Sequence, residues 1–436
     1  MILSTLSPPE RDVNVAEIEF QTLKTGIHAE LVESLDLSTV GRTDSPHLRD
    51  EIRELSREIC KNRRLKLEKP HHDRLLNELE DEVFGLGPLE PLMSDDTVSD
   101  ILVNGAHEVY VERFGRLELT NVVFADREHV MRIIQRVVSR VGRRIDEVSP
   151  MVDARLPDGS RVNAVIPPLA IGGPKLSIRR FGTEWMTLDF LVRNGSLAPA
   201  MAEFLKAATA ARISFLISGG TGAGKTTLLN ALSGSIPRDE RIVTIEDSAE
   251  LMLQHQHVVP LETRPSNTEG MGEVSQRDLV KNALRMRPDR IVIGEVRGGE
   301  ALDMLQAMNT GHEGSLTTIH ANDAHDALAR LEMMVAMTGF ELPIHVVRQY
   351  VAAGIKLVVQ LARLKGGVRR VMRIAEIVSI ENGDYQLEEV FGFRQSGLDQ
   401  RGIAKGEFYS TGYVPRCVNR FADEGVELPD SFFHQT

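Results

Sequence analysis

One stretch of eight residues limits what this chain can fold into more than any other feature: Gly219-Gly220-Thr221-Gly222-Ala223-Gly224-Lys225-Thr226. It completes the pattern G-x-x-x-x-G-K-[ST], with an apolar run at 213–217 before it and Thr227-Leu228-Leu229-Asn230-Ala231-Leu232 after it. A strand therefore enters the glycines and a helix leaves them. The glycines let consecutive N–H groups curl around phosphate oxygens, and the helix N-terminus adds positive potential. Lys225 then reaches the β- and γ-phosphates and the Thr226 hydroxyl ligates Mg²⁺, so ATP and Mg²⁺ are the expected cofactors. Gly219, Gly220, Thr221, Gly222, Ala223, Gly224, Lys225, Thr226 and Thr227 form the candidate nucleotide-binding set. A plain glycine turn is the alternative, and a complete pattern with both flanks correct weighs against it.

A phosphate-binding loop alone does not make a hydrolase, which also needs acidic groups at neighbouring strand ends to hold a water and a metal. Two short β-branched runs end in acids. Arg241-Ile242-Val243-Thr244-Ile245 leads into Glu246-Asp247, and Arg290-Ile291-Val292-Ile293-Gly294 leads into Glu295. Both carboxylates fit either water activation or outer-sphere Mg²⁺ binding, although strands often end in acids for no catalytic reason. A third run, Gly311 to His320, ends in a histidine. His320 can donate to a γ-phosphate or cap the following helix. Arg155 and Arg161 flank the Asp158-Gly159 turn and Arg179-Arg180 end another strand, where they can supply transition-state charge or be solvated basic residues.

Around this core the periodicity changes twice. Phe20, Leu23, Ile27 and Leu31, then Leu48, Ile52, Leu55 and Ile59, then Leu75, Leu79 and Val83 recur at helical spacing, so residues 1–85 are read as a helical module. Its narrow apolar faces need each other or a partner. Residues 86–180 alternate and form a mixed α/β domain, 181–195 read as a hinge, and 196–436 form an α/β domain with a parallel sheet. Gly366-Gly367 and Asn382-Gly383 sit at hairpin turns, which predicts antiparallel strands near the end. The final 45 or so residues show no readable pattern.

Composition excludes several classes. Asp and Glu total 63 against 51 Lys and Arg, a net charge of −12, which disfavours nucleic acid over the whole surface. Cys60 and Cys417 are the only cysteines, so no four-cysteine zinc site and no disulfide framework can be built, and a reducing cytoplasm fits. No run of 18 apolar residues is present, so membrane contact is expected to be peripheral.

Taken together, Gly219 to Thr226, Thr244-Ile245-Glu246-Asp247, the run from Arg287 to Arg297 and Gly311 to His320 resemble the Walker A, Asp box, Walker B and His box of type II and type IV secretion ATPases, the VirB11-like superfamily. Phe84 to Leu92, Val103-Asn104-Gly105, Val109 to Arg113 and Ala154 to Ala164 look like its CpaF branch, which serves tight-adherence (Flp) pili. The resemblance spans about 15 to 435. It implies a RecA-like P-loop core in a homo-hexameric ring at the cytoplasmic face of the inner membrane, acting on pilus platform proteins in extension and possible retraction. It further implies that Glu246 orients or deprotonates the attacking water, Glu295 holds Mg²⁺ through water, His320 senses the γ-phosphate, and Arg161 and Arg179 contact phosphate. A type IV secretion or conjugation ATPase shares every one of these motifs. A nucleic-acid-dependent motor and a nucleotide-switched scaffold are the more distant alternatives.

Overall fold

The computed structural model describes residues 15–34, 46–65, 67–113, 115–180, 186–264, 266, 271–426 and 428–434. They fall into two compact units, one up to residue 183 and one from residue 184. Of the stretch read as a hinge, 181–185 lie outside the described residues. Leu188–Arg193 within it form a short helix whose first turn is capped by Thr187.

In the first unit, helices Val15–Ser34, Pro46–Asn62 and Lys69–Phe84 answer the apolar question raised by the sequence: their stripes meet each other. Ile27, Leu31, Leu48, Ile52, Ile59, Leu75 and Leu79 share one core. Charge is buried among them. Lys24 is fully buried, its Nζ 3.1 Å from Glu78 and 3.3 Å from Glu82. Glu82 also lies 2.9 Å from Nε2 of His129, which sits on helix Arg127–Arg140.

That helix covers a six-stranded antiparallel sheet made of β1 (Val98–Gly105), β2 (Glu108–Arg113), β3 (Arg116–Leu119), β4 (Met151–Arg155), β5 (Arg161–Val165) and β6 (Lys175–Arg179). The strand order is β3-β2-β1-β6-β5-β4. Period-two alternation turns Val109, Val111, Val162, Ile178 and Leu176 inward, where Val130, Ile133, Ile134 and Val137 meet them. Asp126 caps the helix by accepting from the His129 amide.

The second unit is built on a nine-stranded sheet: β7 (Phe215–Gly219), β8 (Ile242–Glu246), β9 (Val258–Glu262), β10 (Arg290–Ile293), β11 (Leu316–Ile319), β12 (Leu357–Arg363), β13 (Arg369–Glu381), β14 (Asp384–Leu398) and β15 (Ala404–Ser410). Its order is β15-β14-β13-β12-β7-β11-β10-β8-β9. The six strands from β12 through β7 to β9 are parallel, and β13 to β15 add antiparallel hairpins through Gly366-Gly367 and Asn382-Gly383. Asn382 and Gly383 both take positive φ, +51° and +84°, as a two-residue hairpin requires. Fully buried, four-residue parallel strands read as continuous apolar runs because helices cover both faces.

Two features fasten this sheet. Arg290, fully buried at the start of β10, donates to both Glu240 oxygens and to the Thr209 and Gly314 carbonyls. The unreadable end of the chain turns back on itself in short 3₁₀ segments and sets Phe421 and Phe433 against Phe204 at centroid distances of 6.0 and 5.9 Å. Among the described residues no helix is long and apolar enough to cross a membrane.

Candidate nucleotide site

The parallel order decides where the chemistry sits. β7 lies between β11 and β12, and the chain leaving β7 passes beyond β11 and β10 before returning as β8. The crevice at the C-terminal ends of these strands is where open α/β sheets bind ligands. The loop after β7, Glu246 at the end of β8, Glu295 just past β10 and His320 just past β11 all lie on that edge.

Gly224, at φ +99°, is the N-cap of helix Lys225–Ser233, a left-handed conformation that an L side chain resists. The turn it allows points the first N–H groups of the helix into the loop. Lys225 folds over the same loop, donating to the carbonyls of Gly219 at 2.9 Å and Gly220 at 3.4 Å. Its Nζ also lies 3.7 Å from Oε1 of Glu295. The lysine is thus held by weak acceptors that an anion can replace.

Glu246 is held differently. It is 3% exposed, and its Oε1 accepts from the amides of Glu250 at 2.7 Å and Leu251 at 2.8 Å. These two bonds fix the carboxylate against the start of the loop after β8. Gly294 makes room for it: a Cβ built there would be 2.9 Å from Glu246 Cγ.

Glu295 is joined to Arg297, whose Nε and Nη2 donate to Oε2 at 2.8 and 2.5 Å. Arg297 also reaches Asp247 at 3.3 Å. Burial opposes the Arg297 charge, and the Glu295 hydrogen bonds with the Asp247 and Glu250 charges outweigh it, raising the guanidinium above its ordinary range. Gly294 and Arg297 both fall in the run from Arg287 to Arg297 that resembles Walker B, but the sequence assigned no role to either.

His320 is half-buried. The helix-cap alternative is answered by Asp323, which caps Ala324–Ala336 by accepting from the Asp326 amide. Arg161 and Arg179 belong to the first unit, where they stand opposite each other on β5 and β6, with Arg155 opposite Arg161 on β4. The structure therefore gathers Lys225, Thr226, Glu246, Glu295 and His320 at one sheet edge and the three arginines into one cross-strand row of the other unit.

The sequence profile described as Type II/IV secretion system protein matches residues 82–389. The chain belongs to that family. A Mycobacterium tuberculosis protein named for conjugal transfer is 43% identical to this family member over 312 residues, covering 70% of this chain and 88% of its own. The conjugal transfer protein TrbB of Rhizobium radiobacter is 35% identical over 321 residues, 73% of this chain and 94% of its own. Among solved structures, the VirB11 ATPase of the Brucella suis type IV secretion system, in complex with sulphate, is 30% identical, with coverage of 66% and 95% and a TM-score of 0.36. The profile leaves the helices before residue 82 of this secretion protein unmatched.

Proposed function

We propose that the protein is a Mg²⁺-dependent ATPase of a homo-hexameric secretion motor, working at the cytoplasmic face of the inner membrane. Lys225 carries the reading: a lysine on a complete phosphate loop, donating to two loop carbonyls and 3.7 Å from Glu295, is placed to exchange such partners for β- and γ-phosphate oxygens. The hard oxygen donors of Thr226 and Glu295 suit Mg²⁺, Thr226 directly and Glu295 through water. When bound, the ion would neutralise charge on the phosphates. Glu246, fixed by two amides, orients or deprotonates the attacking water, and His320 donates to the γ-phosphate and registers its loss. Arg161 and Arg179 add positive charge to the phosphates, and residues 181–195 serve as the hinge that turns hydrolysis into domain motion.

The machine we favour is the tight-adherence pilus of the CpaF branch, with inner-membrane platform proteins rather than nucleic acid as partners. The upstream motifs from Phe84 to Ala164 support it. A conjugation or type IV secretion ATPase is the second reading, favoured by the relative named for conjugal transfer at 43% identity.

Steady-state ATP hydrolysis by wild type and Glu246→Gln across protein concentration, with light scattering on the same samples and single-stranded DNA as a variable, tests the core of this. Expected are turnover that rises with hexamer formation, a fall on the order of a hundredfold in the variant with ATP binding kept, and indifference to DNA. Monomer activity or strong DNA stimulation would overturn the motor reading.

A further inference from the structure

Besides the loop itself, one more element meets the phosphate site. β12 runs parallel to β7 with Leu361 opposite Gly219, so its last residue, Arg363, emerges on the same edge as the loop. The hairpin that follows returns as β13 with Arg369 opposite Arg363. Both arginines lie against glycines of the loop. A Cβ built on Gly222 would be 3.3 Å from Nη1 of Arg363, and one on Gly224 would be 3.5 Å from Cδ of Arg369. Leu361 closes the gap between them, its carbonyl 2.7 Å and its Cδ2 3.9 Å from the Cβ positions of Gly219 and Gly224.

We infer that Arg363 and Arg369 form a second cationic arm of this site, binding the polyphosphate of the nucleotide from the β12–β13 hairpin of the same subunit. The inference rests on the reading of the loop as a nucleotide site. Its logic is electrostatic and geometric. Lys225 contributes a single flexible ammonium from the helix side, whereas a guanidinium offers a planar fork suited to phosphate oxygens. Both are exposed, so they can swing to a ligand without breaking a core. The glycines at 222 and 224 do two jobs here: they allow the loop its positive φ of +69° and +99°, and they leave space for the arginines to approach.

The test measures equilibrium affinity for ATP, ADP, adenosine and inorganic tripolyphosphate in wild type, Arg363→Ala, Arg369→Ala, the two Arg→Lys variants and Lys225→Ala. Each alanine variant should weaken ATP and tripolyphosphate about tenfold while leaving adenosine unchanged, with lysine restoring part of the loss and added salt narrowing the difference. Unchanged tripolyphosphate affinity in both alanine variants overturns the inference, and so does a loss confined to adenosine and ATP, which would mean contact with the base. Lys225→Ala separates the two levels. If it loses ATP while the arginine variants do not, the arm alone fails; if it too binds ATP normally, the loop reading fails with it.

Discussion

Two lysines teach opposite lessons. Lys24 in the helical layer and Lys225 on the phosphate loop each face carboxylates, yet the first is sealed with Glu78 and Glu82 at 3.1 and 3.3 Å and the second leans on backbone carbonyls with Glu295 at 3.7 Å. A buried ion pair has nothing to exchange with, so its partners are permanent and its removal is structural. Lys225, first residue of its helix, holds acceptors that on the proposed reading a phosphate outbids. The same residue type is thus a rivet in one unit and, on the proposed reading, a receptor in the other.

Substitution of each by methionine should separate the roles. Lys24→Met takes away the buried ammonium that Glu78 and Glu82 share, leaving Glu78 its ion pair with Arg74 and Glu82 its contact with His129, and should destabilise the helical layer by about 3 kcal/mol. Hydrogen exchange in Val15–Ser34 and Lys69–Phe84 would report it, with ATP turnover per folded subunit unchanged. Full protection of those helices in the variant would show that Lys24 is no rivet.

Acid should reach the same network. Burial pushes the Glu82 carboxyl up, but the His129 hydrogen bond and the Lys24 charge outweigh it and bring it down to about 2. Its folded value lies below the ordinary 4.5, so its contribution, on the order of 3 kcal/mol, is fully present above that pH and is lost as pH falls from 4.5 through 2. His28, pushed down to about 4 by burial, stays neutral in the fold while the unfolded chain takes up a proton below 6.5, so it erodes stability across that span. Asp81, pushed up to about 6 chiefly by burial, binds a proton more readily in the fold and offsets that loss. Thermal melts should therefore be nearly level from pH 6 to 4.5 and fall steeply below. In Glu82→Gln the steep part should shrink; an identical profile would remove Glu82 from the account.

Lys225→Met is the counterpart. ATP affinity should fall about a hundredfold while the melting temperature stays close to wild type, because its hydrogen bonds to Gly219 and Gly220 are worth little. A variant that melts early but still binds nucleotide would invert the comparison.

Local patterns explain why so much of the nucleotide edge is legible in the sequence. The loop, the acids after β8 and β10 and the histidine after β11 each follow a short apolar run, and parallel strands bring such ends to one side. What escapes is set by strand order and by burial. Nothing in Leu357–Arg363 announces that it lies beside β7, so Arg363 and Arg369 carry no signal until the sheet is assembled. Lys24 carries no signal of its burial because its carboxylate partners are 54 and 58 residues away in sequence. Phe421, Phe432 and Phe433 show no period because they dock from 3₁₀ turns, whose side chains follow neither the helical nor the strand repeat.

Gly294 offers the finest test of how strictly Glu246 must be held. Its backbone asks for no special φ, so alanine brings no strain of its own; what it brings is a methyl 2.9 Å from Glu246 Cγ. That contact is closer than carbon atoms tolerate, and Glu246 cannot simply swing away, because its Oε1 is tied to the amides of 250 and 251. The carboxylate must shift by a few tenths of an ångström or loosen one of those bonds. Gly294→Ala should then slow hydrolysis about tenfold at saturating ATP with KM little changed, the pattern of a lost transition-state contact. Combined with Glu246→Gln it should add almost nothing, since both act through one carboxylate. Full additivity in the double variant would mean that the methyl acts elsewhere, most directly through the Glu295 that follows it.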